Sequence, residues 1–227
     1  MRILHRSSKE KYGRNCTLPN QARVKISKIQ PQTRNKNRCS IYIDGEFRFG
    51  LTNDLVVKYN LNAGDEITDE EIKNILLQEE KVKIRSRAYK ILHYRERSIK
   101  ELKHRLLHIG FDQLLVDEVI DDFVSDKTLD DDRFARAFVN DYTNLKPKGN
   151  RFIYHELIKK GISKEVITEL ISGRDEKELI KNFIQKKLSN FNKTNLKERQ
   201  KMIRRLLNHG FTPGIVYEII NERSQEL

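Results

Sequence analysis

His104 and His108 stand four residues apart, the spacing at which one helix face can offer two imidazoles to a zinc ion. The glutamate of a zinc-peptidase motif is missing, no cysteine lies near, and Lys103 and Arg105 would repel a cation, so the pair reads as solvated surface. Asp121, Asp122, Asp126, Asp130, Asp131 and Asp132 are dense enough to suggest a two-metal nuclease. They spread across two helix ends with no catalytic Lys or His motif beside them, and read as a solvated or ion-pairing surface. Cys16 and Cys39 have no companion pair and are expected to be reduced. Neither a Gly-x4-Gly-Lys-Ser/Thr loop nor a Gly-x-Gly-x-x-Gly turn is present to cradle phosphates. The expectation is a protein with no catalytic residues, no metal and no cofactor, and thus not an enzyme.

The remaining chemistry is charge. The 227 residues carry 45 Lys and Arg against 33 Asp and Glu, a net +12 that calls for an anionic partner or an acidic surface. The excess is uneven: residues 1–19 and 175–227 hold +4 each, while 84–129 is nearly neutral at +1. Inside that neutral segment the signs separate into +8 over Lys81 to Arg105 and −8 over Asp112 to Asp132. A second basic stretch, Lys177 to Arg205, has ten basic and two acidic residues. Apolar runs reach only three or four residues, such as Ile75-Leu76-Leu77, where a membrane span needs about 20. The basic Met1–Arg6 start lacks the apolar region of a secretory signal, and the chain is expected to be cytoplasmic.

The elements that must carry these charges are mostly helices, because Gly and Pro are few, 10 and 4 in the chain. Residues 1–19 read as a basic flexible tail. A small α+β cap over 20–80 is predicted from the alternating segments around Val24–Ile29, Ser40–Ile43 and Glu46–Phe49. Asp44-Gly45 supplies the tight hairpin turn between the last two, making three strands. Leu51 to Asn60 and Thr68 to Leu77 have helical spacing, the second opened by the capping box Thr68-x-x-Glu71.

From Val82 onward a repeat dominates. Leu106-x-x-x-Gly110, Leu157-x-x-x-Gly161 and Leu206-x-x-x-Gly210 recur at spacings of 51 and 49, and flanking apolar positions agree in all three copies. Each copy reads as a helix ended by Gly in the left-handed conformation, a cap at Asp112, Ser163 or Thr212, and a second helix. Pro213 fits the first turn of the last helix. Upstream helical stretches, Arg85 to Tyr94, Asp132 to Asn144 and Glu176 to Phe191, complete three three-helix repeats over 81–129, 130–174 and 175–227. Units of about 50 residues bury little alone, so they are expected to stack their apolar seams into an elongated, curved solenoid. The fold class is therefore mainly α, three tandem three-helix repeats behind a small N-terminal cap.

Arg95-Glu96-Arg97-Ser98-x-x-Glu101-Leu102, Gly110-Phe111, Asp131-Asp132-Arg133-Phe134-Ala135, Lys148-Gly149 and Glu156-Leu157-x-x-Lys160-Gly161-Ile162 resemble the motifs of the RecX family over about residues 80–174. The resemblance implies a non-enzymatic, cytoplasmic regulator of RecA that lodges in the groove of the RecA–DNA filament, and an open solenoid filling a groove needs no dimer, so a monomer is expected. It further implies damped strand exchange and damped ATP hydrolysis by RecA, within recombination, DNA repair and the SOS response. Ser98-x-x-Glu101 reads locally as a capping box, and Asp131-Asp132 as a helix start that joins two repeats. The candidate contacts to the RecA filament or its DNA are Arg95, Arg97, Lys100, Lys103 and Arg105 in the first repeat. Lys146, Lys148, Arg151, Lys159 and Lys160 follow in the second, and Lys201, Arg204 and Arg205 in the third. The competing reading is a sequence-independent nucleic-acid-binding helical protein that acts without RecA, by phosphate contacts with steep salt dependence.

Overall fold

The computed structural model describes residues 23–187 and 195–222. The expected basic tail over 1–19, with Cys16, lies outside the described residues. The chain divides into two compact units, Met1–Glu80 and Lys81–Leu227.

In the first unit β1 (Arg23–Pro31), β2 (Arg38–Ile43), β3 (Glu46–Thr52) and β4 (Glu66–Thr68) form one antiparallel sheet in the order β3-β2-β1-β4, with α1 (Asn53–Lys58) between β3 and β4. The predicted hairpin is present: Asp44 and Gly45 have φ of +51° and +89°, the two left-handed residues that a turn matching strand twist needs. The sheet has four strands rather than the expected three. Three-residue β4 is too short to show an alternating pattern, and only its pairing of Ile67 with Val24 defines it. Ile26, Ile41, Leu51 and Ile67 turn the buried face of the sheet into a core with Leu55 and Ile75. Glu79 is buried and ties helix to hairpin, accepting from the Arg38 guanidinium at 2.5 Å and from the Thr52 N–H at 2.9 Å.

The helix that carries Glu79, α2, spans Asp69–Tyr94 without a break, where the sequence suggested two separate helices. No Gly or Pro lies between Leu77 and Arg85 to stop it. The capping box at its start is closed: Glu71 N–H donates to Thr68 Oγ1 at 3.2 Å and Thr68 N–H to Glu71 Oε2 at 2.8 Å.

In the second unit the last turns of α2 combine with α3 (Ile99–Ile109) and α4 (Gln113–Ser125) in the first repeat. The second repeat is α5 (Asp131–Asn144), α6 (Asn150–Lys159) and α7 (Lys164–Ser172), and the third is α8 (Glu176–Lys187), α9 (Leu196–Asn208) and α10 (Pro213–Glu222). Gly110, Gly161 and Gly210 have φ of +100°, +90° and +81°, the left-handed geometry that the repeat pattern predicts. Asp112 and Ser163 cap α4 and α7 through their side chains.

Each repeat closes around its own apolar cluster. Leu102, Leu106, Val116 and Phe123 centre the first, Phe134, Ile153, Leu157 and Ile167 the second, and Met202, Leu206, Phe211 and Val216 the third. Among the described residues the three buried clusters are separate, and the joints between repeats combine hydrogen bonds with side-chain packing such as that of Phe152 against Gly210.

Candidate partner-binding surface

At each joint the start of one middle helix meets the glycine turn of the next repeat. Ser98, which caps α3, donates its hydroxyl to the Lys160 carbonyl at 2.7 Å. Gly149, twelve residues before its glycine as Ser98 is before Gly110, makes the same contact with its backbone N–H, donated to the His209 carbonyl at 3.0 Å. A carboxylate from the first helix of the following repeat covers the next N–H. Asp131 accepts from Ile99 at 2.9 Å and Glu176 accepts from Asn150 at 2.7 Å. Ser98-x-x-Glu101 is therefore only half a capping box, since Asp131 covers the N–H beside the cap and Glu101 points elsewhere. Arg174, which the sequence reading passed over, completes the second joint by donating to the Tyr142 and Lys148 carbonyls at 3.1 and 2.8 Å.

These joints sort the candidate cations. Lys160 is a joint residue: its ammonium lies 2.6 Å from Glu101 and over the rings of Phe134 and Phe138. Arg95 shares the same carboxylate at 3.2 Å. Lys103 pairs with Asp117 at 2.6 Å, Arg85 with Asp122 and Lys81 with Glu118, so the opposed strips of charge partly neutralise each other. Lys159 pairs with Glu156 on its own helix at 2.7 Å. Lys100 rests its stem against Gly161 with its end exposed.

Arg97 stands apart from these pairs. Burial pushes its guanidinium below the ordinary arginine value, and the positive charges of Arg95 and Arg105 push it further, with Glu101 opposing. Its Nε is covered and finds no acceptor. Arg95, Arg97 and Arg105 thus form a cluster of like charge, with Lys100 exposed on the same helix start and Glu101 already bound to Arg95 and Lys160. Such a cluster is electrostatically unfavourable until an anion or carboxylate approaches.

Lys146 and Lys148 occupy the positions of Arg95 and Arg97 one repeat later, and Lys197 that of Arg97 in the third. This aligned basic position was readable in the sequence by counting thirteen residues back from each glycine. Arg151, Lys201 and Arg204 are exposed, while Arg205 lies over the Phe183 ring at 5.9 Å. His104 and His108 are exposed, and among the described residues no group of three His, Cys, Asp or Glu stands close enough to hold a metal ion. No helix among them is long and apolar enough to cross a membrane.

The shared carboxylate makes the first joint pH-dependent. Burial pushes the Glu101 carboxyl up, but the Arg95 and Lys160 hydrogen bonds and charges outweigh it and hold the group at about 2, against an ordinary 4.5. A carboxylate depressed in the folded state adds stability that is complete above its unfolded value and fades as pH falls through the folded one. Glu101→Gln is expected to remove about 1–2 kcal/mol at neutral pH, less than the full shift implies because solvent screens the pair. The loss should shrink between pH 4.5 and about 2. Thermal unfolding across that range tests this, and wild-type and variant curves that stay parallel there would refute it.

Comparisons with known proteins agree with this arrangement. Residues 24–68 match the Regulatory protein RecX N-terminal domain, and 85–123, 130–171 and 175–220 match the first, second and third three-helix domains of RecX. The chain is 32% identical over 195 residues to Regulatory protein RecX of Clostridioides difficile (strain 630), covering 86% of this chain and 92% of that one. It is 31% identical over 205 residues to Regulatory protein RecX of Clostridium botulinum (strain Alaska E43 / Type E3), covering 88% and 96%. A crystal structure of regulatory protein RecX superposes with a TM-score of 0.67 at 26% identity, covering 88% of this chain and 99% of that one. The fold is also that of RecX from Lactobacillus salivarius, with a TM-score of 0.55 over 63% of this chain and 96% of that one.

Proposed function

The chain belongs to the RecX family, and from that premise we propose that it binds the RecA nucleoprotein filament and damps its recombinase and ATPase activities without catalysing a reaction itself. The observation that supports this reading best is the repeated cation position. Arg97, Lys148 and Lys197 recur at the start of successive middle helices, and Arg95 and Lys146 precede the first two. A partner that offers its acidic groups at a regular repeat, as a filament does, can engage equivalent positions one after another. Lys100, Arg105, Arg151, Lys201 and Arg204 extend the surface. Lys103, Lys159 and Lys160 are engaged in ion pairs with Asp117, Glu156 and Glu101, and Arg205 with the Phe183 ring, at the margin of that surface.

The test is RecA strand exchange and ATP hydrolysis with and without the full chain, alongside its affinity for naked single- and double-stranded DNA. Inhibition near stoichiometric ratios to RecA is expected. Tight binding to naked DNA with RecA activity unchanged would instead establish the reading as a nucleic-acid binder that acts without RecA. The triple variant R97Q/K100Q/R105Q keeps the Lys100 stem length against Gly161 and breaks no ion pair of the joint. It should raise the concentration needed for half-inhibition about tenfold at unchanged Tm, and unchanged inhibition would remove this patch from the interface.

A further inference from the structure

The cleft between the α5–α6 turn and α8 has a volume of about 490 Å³. Lys146 and Lys148 line it from the turn and Lys186 from α8, with Asn182 beside them and Leu145 and Leu179 as apolar wall. None of its lining residues is an aspartate or glutamate. Among the described residues none of the three ammonium groups stands in an ion pair, and Lys148 is held 5.0 Å over the Phe152 ring instead. The corresponding cleft at the first joint, about 420 Å³, is lined by Arg97 and Arg133 but also by Glu96 and Asp130, and Glu96 pairs with Arg133 at 3.0 Å. The second cleft thus keeps the cation position of Arg97 at Lys148, adds Lys146 and Lys186, and lacks the internal counter-ions of the first.

Three ammonium groups around one concavity repel each other until an anion enters, and lysine serves phosphate as a mobile point charge. The two aromatic rings in the cleft lining, Phe183 and His209, pack on each other at 4.7 Å, and Phe183 is buried with Arg205 at 5.9 Å from its ring. A nucleobase therefore finds no open face to stack on, and recognition falls to the anionic group alone.

We propose that this cleft is a phosphate site, in which Lys146, Lys148 and Lys186 hold a phosphate of a nucleic-acid backbone or of a free polyphosphate. The proposal shares Lys146 and Lys148 with the functional reading above, but it requires no RecA and is tested without it.

The experiment compares the full chain with K146Q/K148Q/K186Q and with K25Q/K36Q/K73Q, which removes as much charge from exposed lysines of the first unit. End-labelled oligothymidylate is followed by fluorescence anisotropy over a salt series, and pyrophosphate by calorimetry. The cleft variant should bind the oligonucleotide about tenfold more weakly, with a log–log salt slope shallower by about 0.7 for each phosphate released, and the control variant should lose much less. That outcome identifies a nucleic-acid backbone as the source of the phosphate. Loss of pyrophosphate binding alone supports the site with a free polyphosphate as its ligand. Equal losses in both variants, or none in either at unchanged Tm, would overturn it, and RecA inhibition by the same variant is scored separately.

Discussion

Gly149→Ala should detach the third repeat from the second. The backbone at Gly149 has φ −73° and ψ 163°, a conformation open to any residue, so the glycine is not there for a left-handed turn. It is there for space, because a Cβ at this position would run into the Gly210 carbonyl and the Phe211 nitrogen. Both are backbone atoms of the glycine turn and cannot rotate aside. Accommodating one methyl group means separating the two chains and losing the Gly149 N–H to His209 bond at 3.0 Å and the Arg151 N–H to Gly210 bond at 3.1 Å. Overpacking of this kind costs about 1–3 kcal/mol, and two strained or lost buried hydrogen bonds add about 1 kcal/mol each. The three repeats have separate cores, so the expected result is a split transition in which residues of the third repeat exchange amide protons and meet proteases first. Gly173→Ala is the control, with nothing within 4 Å of its Cβ and an ordinary negative φ of −76°. A Gly149→Ala protein that unfolds in one transition at the wild-type Tm would show that the close approach is not required.

The second large effect is expected from Glu176→Ala. Glu176 is 3% exposed, and its Oε1 accepts from the Asn150 N–H at 2.7 Å and the Thr212 N–H at 3.2 Å, the starts of α6 and α10. Burial pushes the Arg174 guanidinium down from its ordinary value, and the Glu176 charge is what opposes that. Alanine would strand two N–H groups at about 1–3 kcal/mol for each one left buried without an acceptor, and would remove the negative charge that supports the half-buried Arg174. Glu176→Gln keeps an acceptor for both N–H groups and should recover part of the loss. The measurement is urea unfolding of both variants with hydrogen exchange at Asn150 and Thr212, and equal stability of Glu176→Ala and wild type would refute the role. The equivalent residue in the first joint, Asp131, is placed less favourably. Burial pushes its carboxyl up, and the charges of Asp130 and Asp132 add to that, while the Ile99 N–H opposes.

Much of the fold was legible because its signals are local. A glycine with positive φ ends a helix within four residues of the last buried leucine, an Asp-Gly pair turns a hairpin, and a serine or aspartate caps the helix two or three residues on. Counting apolar positions around Gly110, Gly161 and Gly210 was enough to place three equivalent helical units, and the RecX-like motifs fell on them. What local signals miscounted were strand β4, too short for a period, and the continuity of α2, where the absence of a breaker mattered more than the weak end of one apolar pattern.

The candidate site was legible only as a list of cations. Thirteen lysines and arginines stand at plausible positions in the sequence, and nothing in their types or spacing distinguishes Lys160 from Arg97. The tertiary structure distinguishes them by bringing Glu101 to Lys160 across 59 residues and Asp131 to the start of α3 across 32, while leaving Arg97 among like charges. The physical reason is range. Backbone conformation is set by neighbours along the chain, so sequence alone determined the repeats, their turns and their basic surplus. Which charges are neutralised depends on contacts of a few ångströms between distant segments, and only packing decides those.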